Sequence, residues 1–144
     1  MPHAAKTFAY KKLTHYPHMR PGDISIWNEY IDKNADNFLR CWYDVKVGKP
    51  EITTIISDEK LKRNWFDLSR WGIDVLAEDE NLFYVIEVKP NANAKALGQA
   101  CAYAKMWAKK RQPNKPVIPV VLTDTINPIT AEAANFMGVL LWTP

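Results

Sequence analysis

Three residues of this chain are placed where side chains of their kind need a partner: Asp74 in Gly72-Ile73-Asp74-Val75, then Glu87 and Lys89 within Leu82-Phe83-Tyr84-Val85-Ile86-Glu87-Val88-Lys89-Pro90. Carboxylates and an ammonium are seldom set in an apolar strand, because desolvating each costs several kcal/mol unless a counter-charge or metal compensates. Two neighbouring carboxylates repel, and a hard divalent cation relieves that repulsion through oxygen ligands. The chemistry implied is a Mg²⁺ or Mn²⁺ site with a lysine beside it. The ordinary alternative is an ion pair of Lys89 with Glu87 or Asp74. It leaves one of the two acids uncompensated, which favours the metal.

The elements that must position these residues are readable from the pattern. Residues 72–78 and 82–89 read as two strands joined by a turn at Asp79-Glu80-Asn81. A loop centred on Glu80-Asn81 makes paired positions sum to 161, which sets Asp74 opposite Glu87 with their Cβ atoms roughly 5 Å apart. Lys89 follows on the same face. A register shifted by one residue would part the two acids.

These residues resemble the core of the PD-(D/E)XK nuclease superfamily. Ten residues past Lys89, Gln99-Ala100-Cys101-Ala102-Tyr103 resembles the QxxxY helix motif of its RecB-like and lambda-exonuclease-like branch. The likeness spans residues 23–142, with the specific motifs confined to 72–103. Two departures are visible: Gly72-Ile73 precedes Asp74 where relatives carry proline, and Glu78-Asp79-Glu80-Asn81 replaces their glycine-rich turn. The resemblance implies an α/β, restriction-endonuclease-like three-layer fold, a central mixed sheet flanked by helices. It also implies a metal-dependent nuclease hydrolysing DNA, from a phage or mobile element, with RNA left open. Asp74, Glu87 and the Val88 carbonyl would hold Mg²⁺ or Mn²⁺, and an acid on the first core helix, here Glu29, would complete the set. Lys89 would position or deprotonate water, and Gln99 and Tyr103 would orient substrate. Simpler readings stand beside these: Glu29 paired with Lys33 one turn on, and Tyr103 as helix packing.

The surrounding elements follow from periodicity and breakers. Asp23 is a candidate N-cap for a helix over 24–38, with Trp27, Tyr30, Ile31 and Phe38 on its apolar face. Residues 41–47 and 51–57 read as strands, and 58–70, with Trp65, Phe66 and Leu68, as a short helix and loop. Asn91 or Asn93 caps an alanine-rich helix over 94–111 that Pro113 and Pro116 end. Residues 117–123, 130–136 and 138–142 read as strand, helix and strand. Residues 1–22 show no persistent period and read as an extended arm, rich in His, aromatic and basic residues, that would contact DNA or another chain. Residues 23–144 then form one domain.

Composition narrows the partners. At 144 residues and 47% hydrophobic content, the chain suffices for one cored domain. A net charge of +3 does not by itself mark a nucleic-acid binder, but residues 91–116 carry Lys95, Lys105, Lys109, Lys110, Arg111 and Lys115 with no acid. That run is a candidate DNA-binding surface, or a solvated helix end whose cations complement the dipole. Cys41 and Cys101 lack metal-ligand spacing and read as reduced. No apolar run suits a membrane span or signal peptide, so the expected location is the cytoplasm of a bacterial cell or phage host. A different class of protein shares these features, a non-catalytic module of the same fold. It would be a connector or adaptor subunit in a virion, assembling through the arm into a homo-oligomer or larger complex.

Overall fold

The computed structural model describes residues 6–47 and 72–144. Along the chain come α1 (Pro21–Lys33), β1 (Arg40–Lys46), β2 (Gly72–Glu78), β3 (Phe83–Val88), α2 (Ala94–Arg111), β4 (Val117–Leu122), α3 (Pro128–Met137) and β5 (Leu140–Trp142). The strands form one mixed sheet in the order β1-β2-β3-β4-β5. β1, β2 and β3 run antiparallel in turn, and β4 and β5 continue parallel to β3. The strand and helix expected over 51–70 lie outside the described residues.

Side-chain alternation gives the sheet two apolar faces. Tyr43, Val75, Ile86 and Val120 cluster with Ile26, Trp27, Tyr30 and Ile31 of α1. Trp42, Leu76 and Val85 cluster with Tyr103, Ala104 and Trp107 of α2, while Val121 meets Ala96, Leu97 and Ala100 of α2 and Ala134 of α3. The result is an α/β arrangement with α1 on one face and α2 and α3 on the other. The helices differ in how they earn their place. α2 combines strong helix formers with an Asn93 cap whose side chain accepts from the Lys95 N–H, and its alanines let it lie close on the sheet. α1 is held by large aromatic contacts: Trp27 is fully buried, stacks on Tyr30 and donates its indole N–H to the Tyr43 hydroxyl at 3.0 Å.

Two expectations change. α1 starts at Pro21 and ends at Lys33, so Asp23 is its third residue and not its cap, and Phe38 is buried beyond the helix. Proline suits a first helical position because its absent N–H would have no partner there anyway. Asp23 Oδ2 instead accepts the Arg20 N–H at 3.2 Å.

The segment over 6–20 is irregular but is no free arm. Phe8 and Cys41 exchange main-chain hydrogen bonds, the Tyr10 hydroxyl donates to the Asn34 carbonyl at 2.7 Å, and Tyr16 and Met19 are buried in the α1 core. Aromatic residues that could have met a partner are spent on the domain itself.

Candidate functional site

The hairpin register is the expected one: Val75 pairs with Ile86, Leu76 with Val85, Ala77 with Tyr84 and Glu78 with Phe83. Each pair sums to 161, and continuing the ladder one step brings Asp74 to Glu87. Asp74 lies two residues before Leu76 and Glu87 two after Val85, so the pleat turns both toward α2. There they line a cleft of about 640 Å³ together with Val88 and Lys89. Gln99 and Tyr103, one helical turn apart on α2, form its opposite wall. The five residues singled out as catalytic are therefore brought together.

The two acids are strongly coupled. Asp74 Oδ2 accepts the Val88 N–H at 2.9 Å. Burial pushes the Asp74 carboxyl up to about 7 against that hydrogen bond. Glu87 rises to about 9, first through burial and then through the charge of Asp74, and Lys89 offsets only part of this. Each carboxyl feels the other, and Glu87 is raised further than Asp74. Lys89 lies just past β3, exposed on the cleft, and makes no ion pair among the described residues. The Lys89 salt bridge is not the arrangement adopted.

Tyr103 serves both of its readings. Its ring is buried in the α2 core, and its hydroxyl is held above the ordinary range by burial and by the charges of Glu87 and Asp74.

Glu29 is corrected. It lies on the exposed side of α1, its carboxylate 2.9 Å from the Lys33 ammonium, and it takes no part in the cleft. The acid that α1 contributes is Asp23, six residues earlier, whose charge is felt by both Asp74 and Glu87. Its pairing with the Arg20 N–H is what holds it at the helix start.

The basic run divides. Lys95, in the first turn of α2, lines the cleft. Lys105, Lys109, Lys110 and Arg111 are exposed and do not. Lys109 lies roughly 20 Å along the helix from Lys95 at 1.5 Å per residue. The cations that do rim the cleft are Arg20, Lys46, Lys89 and Lys95, with His18 beside them.

His18, Arg20, Asp23, Asp44 and Lys46 were not foreseen as site residues. Asp44 had a visible signal, an acid inside the apolar strand Cys41–Val47. It adopts a left-handed φ of 50°, drops out of the β1–β2 ladder, and meets Lys46 at 3.1 Å and His18 at 3.2 Å. His18, with φ of 56°, is a second non-glycine residue in that region. Gly72 makes room for them: a Cβ there would lie 3.2 Å from the Asp44 carbonyl carbon and closer still to its carboxylate.

A hard divalent cation needs oxygen donors and tolerates several waters, so two carboxylates side by side form a fitting donor pair. Among the described residues, no set of three His, Cys, Asp or Glu converges as a metal centre. Asp23 acts on the pair through its field, without making a third ligand. Comparison with protein-family models, curated proteins and solved structures finds no match for this chain. No helix among the described residues is long and apolar enough to cross a membrane.

Proposed function

We propose that the chain is a metal-dependent nuclease of the PD-(D/E)XK type, hydrolysing phosphodiester bonds of DNA in the cleft between the β2–β3 hairpin and α2. The observation that carries this reading is the juxtaposition of Asp74 and Glu87 on one face, their carboxyls raised by burial and by each other, with the Lys89 ammonium beside them and in no ion pair among the described residues. A structural ion pair would have satisfied that lysine. Mg²⁺ or Mn²⁺ held by Asp74, Glu87 and the Val88 carbonyl would supply Lewis-acid stabilisation of the phosphoryl oxygens and a more acidic bound water.

The chain's own residues do the rest. Lys89 holds positive charge where the attacking water and the developing phosphoryl charge meet. Gln99 and the Tyr103 hydroxyl wall the far side of the cleft and orient the scissile group. Arg20, Lys46 and Lys95 ring the acidic pair with cations, an arrangement that draws in a polyanion and holds its flanking phosphates.

The test is incubation of purified protein with plasmid, single-stranded DNA and RNA, in Mg²⁺ or Mn²⁺ and in EDTA. Metal-dependent cleavage that Lys89→Ala abolishes, with the thermal transition unchanged, is the expected result. Wild-type cleavage by Lys89→Ala removes the lysine from the mechanism. No cleavage of any substrate, together with a discrete ring-like oligomer, would replace the nuclease by the structural module.

A further inference from the structure

A second cleft, of about 590 Å³, lies at the other end of the hairpin, where the turn after β2 meets β5. Two features of its lining point to one ligand chemistry. The first is aromatic: Tyr84 and Trp142 wall it, ring centroids 5.6 Å apart, with Tyr30 stacked parallel behind Trp142 at 5.5 Å. The second is a carboxylate, Asp79, with two amide oxygens near it. Asn34 donates its Nδ2 to the Tyr30 carbonyl at 3.0 Å, and a carbonyl partner fixes which amide atom that is. Asn37 likewise commits its Nδ2 to the Tyr30 hydroxyl at 2.9 Å. Each amide keeps one further N–H, and its carbonyl oxygen receives no donor among the described residues.

Asp79 completes the set. Its Oδ1 accepts the N–H groups of Asn81 and Leu82, and its Oδ2 accepts the Tyr84 hydroxyl at 2.7 Å, leaving lone-pair capacity on Oδ2. No cation pairs with that carboxylate among the described residues. Lys115, the nearest candidate, is committed to Glu78 at 2.7 Å and to the Asp79 main-chain carbonyl at 2.8 Å.

From these observations we infer that the cleft binds a guanidinium group, either the side chain of an arginine in a partner polypeptide or free arginine. A guanidinium is a planar cation whose face stacks on Trp142 or Tyr84 while its edge donates to Asp79 Oδ2 and the amide oxygens. A quaternary ammonium has no donors and would leave those acceptors unanswered. A lysine ammonium is a compact, strongly hydrated charge with no face to stack. The inference is independent of nuclease activity, because the cleft shares no lining residue with the one holding Asp74 and Glu87.

The experiment is a titration of the ¹⁵N-labelled full chain with N-acetyl-arginine amide, free arginine, N-acetyl-lysine amide and tetramethylammonium, following the Trp142 indole N–H assigned through Trp142→Phe. Saturable shifts with the arginine compounds alone are expected. Asp79→Asn, which keeps the turn's acceptor but not the charge, should weaken binding about tenfold. Tighter binding of the blocked amide assigns the ligand to a polypeptide side chain, and tighter binding of free arginine assigns it to the amino acid. Equal shifts with tetramethylammonium or the lysine compound, or no saturable shift in the wild type, overturn the inference whether or not the variants fold.

Discussion

The behaviour of Asp74 and Glu87 follows from their burial side by side. Folding raises both groups, to about 7 and about 9, far above the unfolded range near 4. A carboxyl raised on folding makes the native state bind more protons than the unfolded one, so stability falls as pH rises through this window. The metal-free wild type should therefore lose thermal stability between about pH 5 and pH 9. Asp74→Asn keeps an acceptor for the Val88 N–H but removes the charge, so it should flatten that slope. At pH 8 it should stabilise the metal-free protein by on the order of 2 kcal/mol. Scanning calorimetry in EDTA decides this, and equal slopes would disprove the coupling. Metal binding must also expel a proton from this raised pair. Calorimetric titration with Mn²⁺ near neutral pH, in buffers of different ionisation enthalpy, should report about one proton released per site by the wild type and a large loss of affinity in Asp74→Asn. Binding undiminished in the variant would move the ion elsewhere.

At the scale of elements, glycines separate what packing demands from what it tolerates. Gly72 opens β2 against Asp44, and a Cβ there meets both main chain and carboxylate. Gly72→Ala should cost about 1–3 kcal/mol as overpacking does, and should free His18 from Asp44. Gly98, inside α2, has open space where its Cβ would be, so Gly98→Ala should stabilise by about 0.5–1 kcal/mol through helix propensity. Paired denaturation curves of opposite sign are the expected outcome. The same contrast explains what could be read from the chain beforehand. The hairpin register came from a short loop and strict alternation, and α2 from its alanines, its cap and two prolines, because those signals are local. β1 carries no such local rule to its place beside β2: the residues between them are too many for turn arithmetic, so the cleft position of Asp44 stayed hidden. α1 starts earlier than its expected 24 because Pro21 serves as its first residue, which puts Asp23 inside the helix and not at its cap.

For the whole molecule, the question is whether residues 6–20 reach outward or belong to the domain. Their composition suited an arm for DNA or another subunit, but Tyr16 and Met19 are 2% and 8% exposed, and the Phe8–Cys41 pairing continues the β1 edge. Burial of a large side chain contributes roughly 1.5–3 kcal/mol, so removing this segment takes several such terms from a total stability of about 5–15 kcal/mol. Deletion of residues 1–20 should then abolish or sharply lower the cooperative thermal transition, where deletion of a free arm would leave it unchanged. The segment also delivers His18 and Arg20 to the rim of the acidic cleft. A milder variant separates that contribution from folding: Arg20→Gln, exposed and without a buried apolar side chain to lose, should leave the unfolding free energy within about 0.5 kcal/mol of wild type. It should nevertheless weaken DNA binding and reduce its salt dependence by about one phosphate contact. An unchanged salt slope would detach the segment from substrate and leave it a purely structural part of the domain.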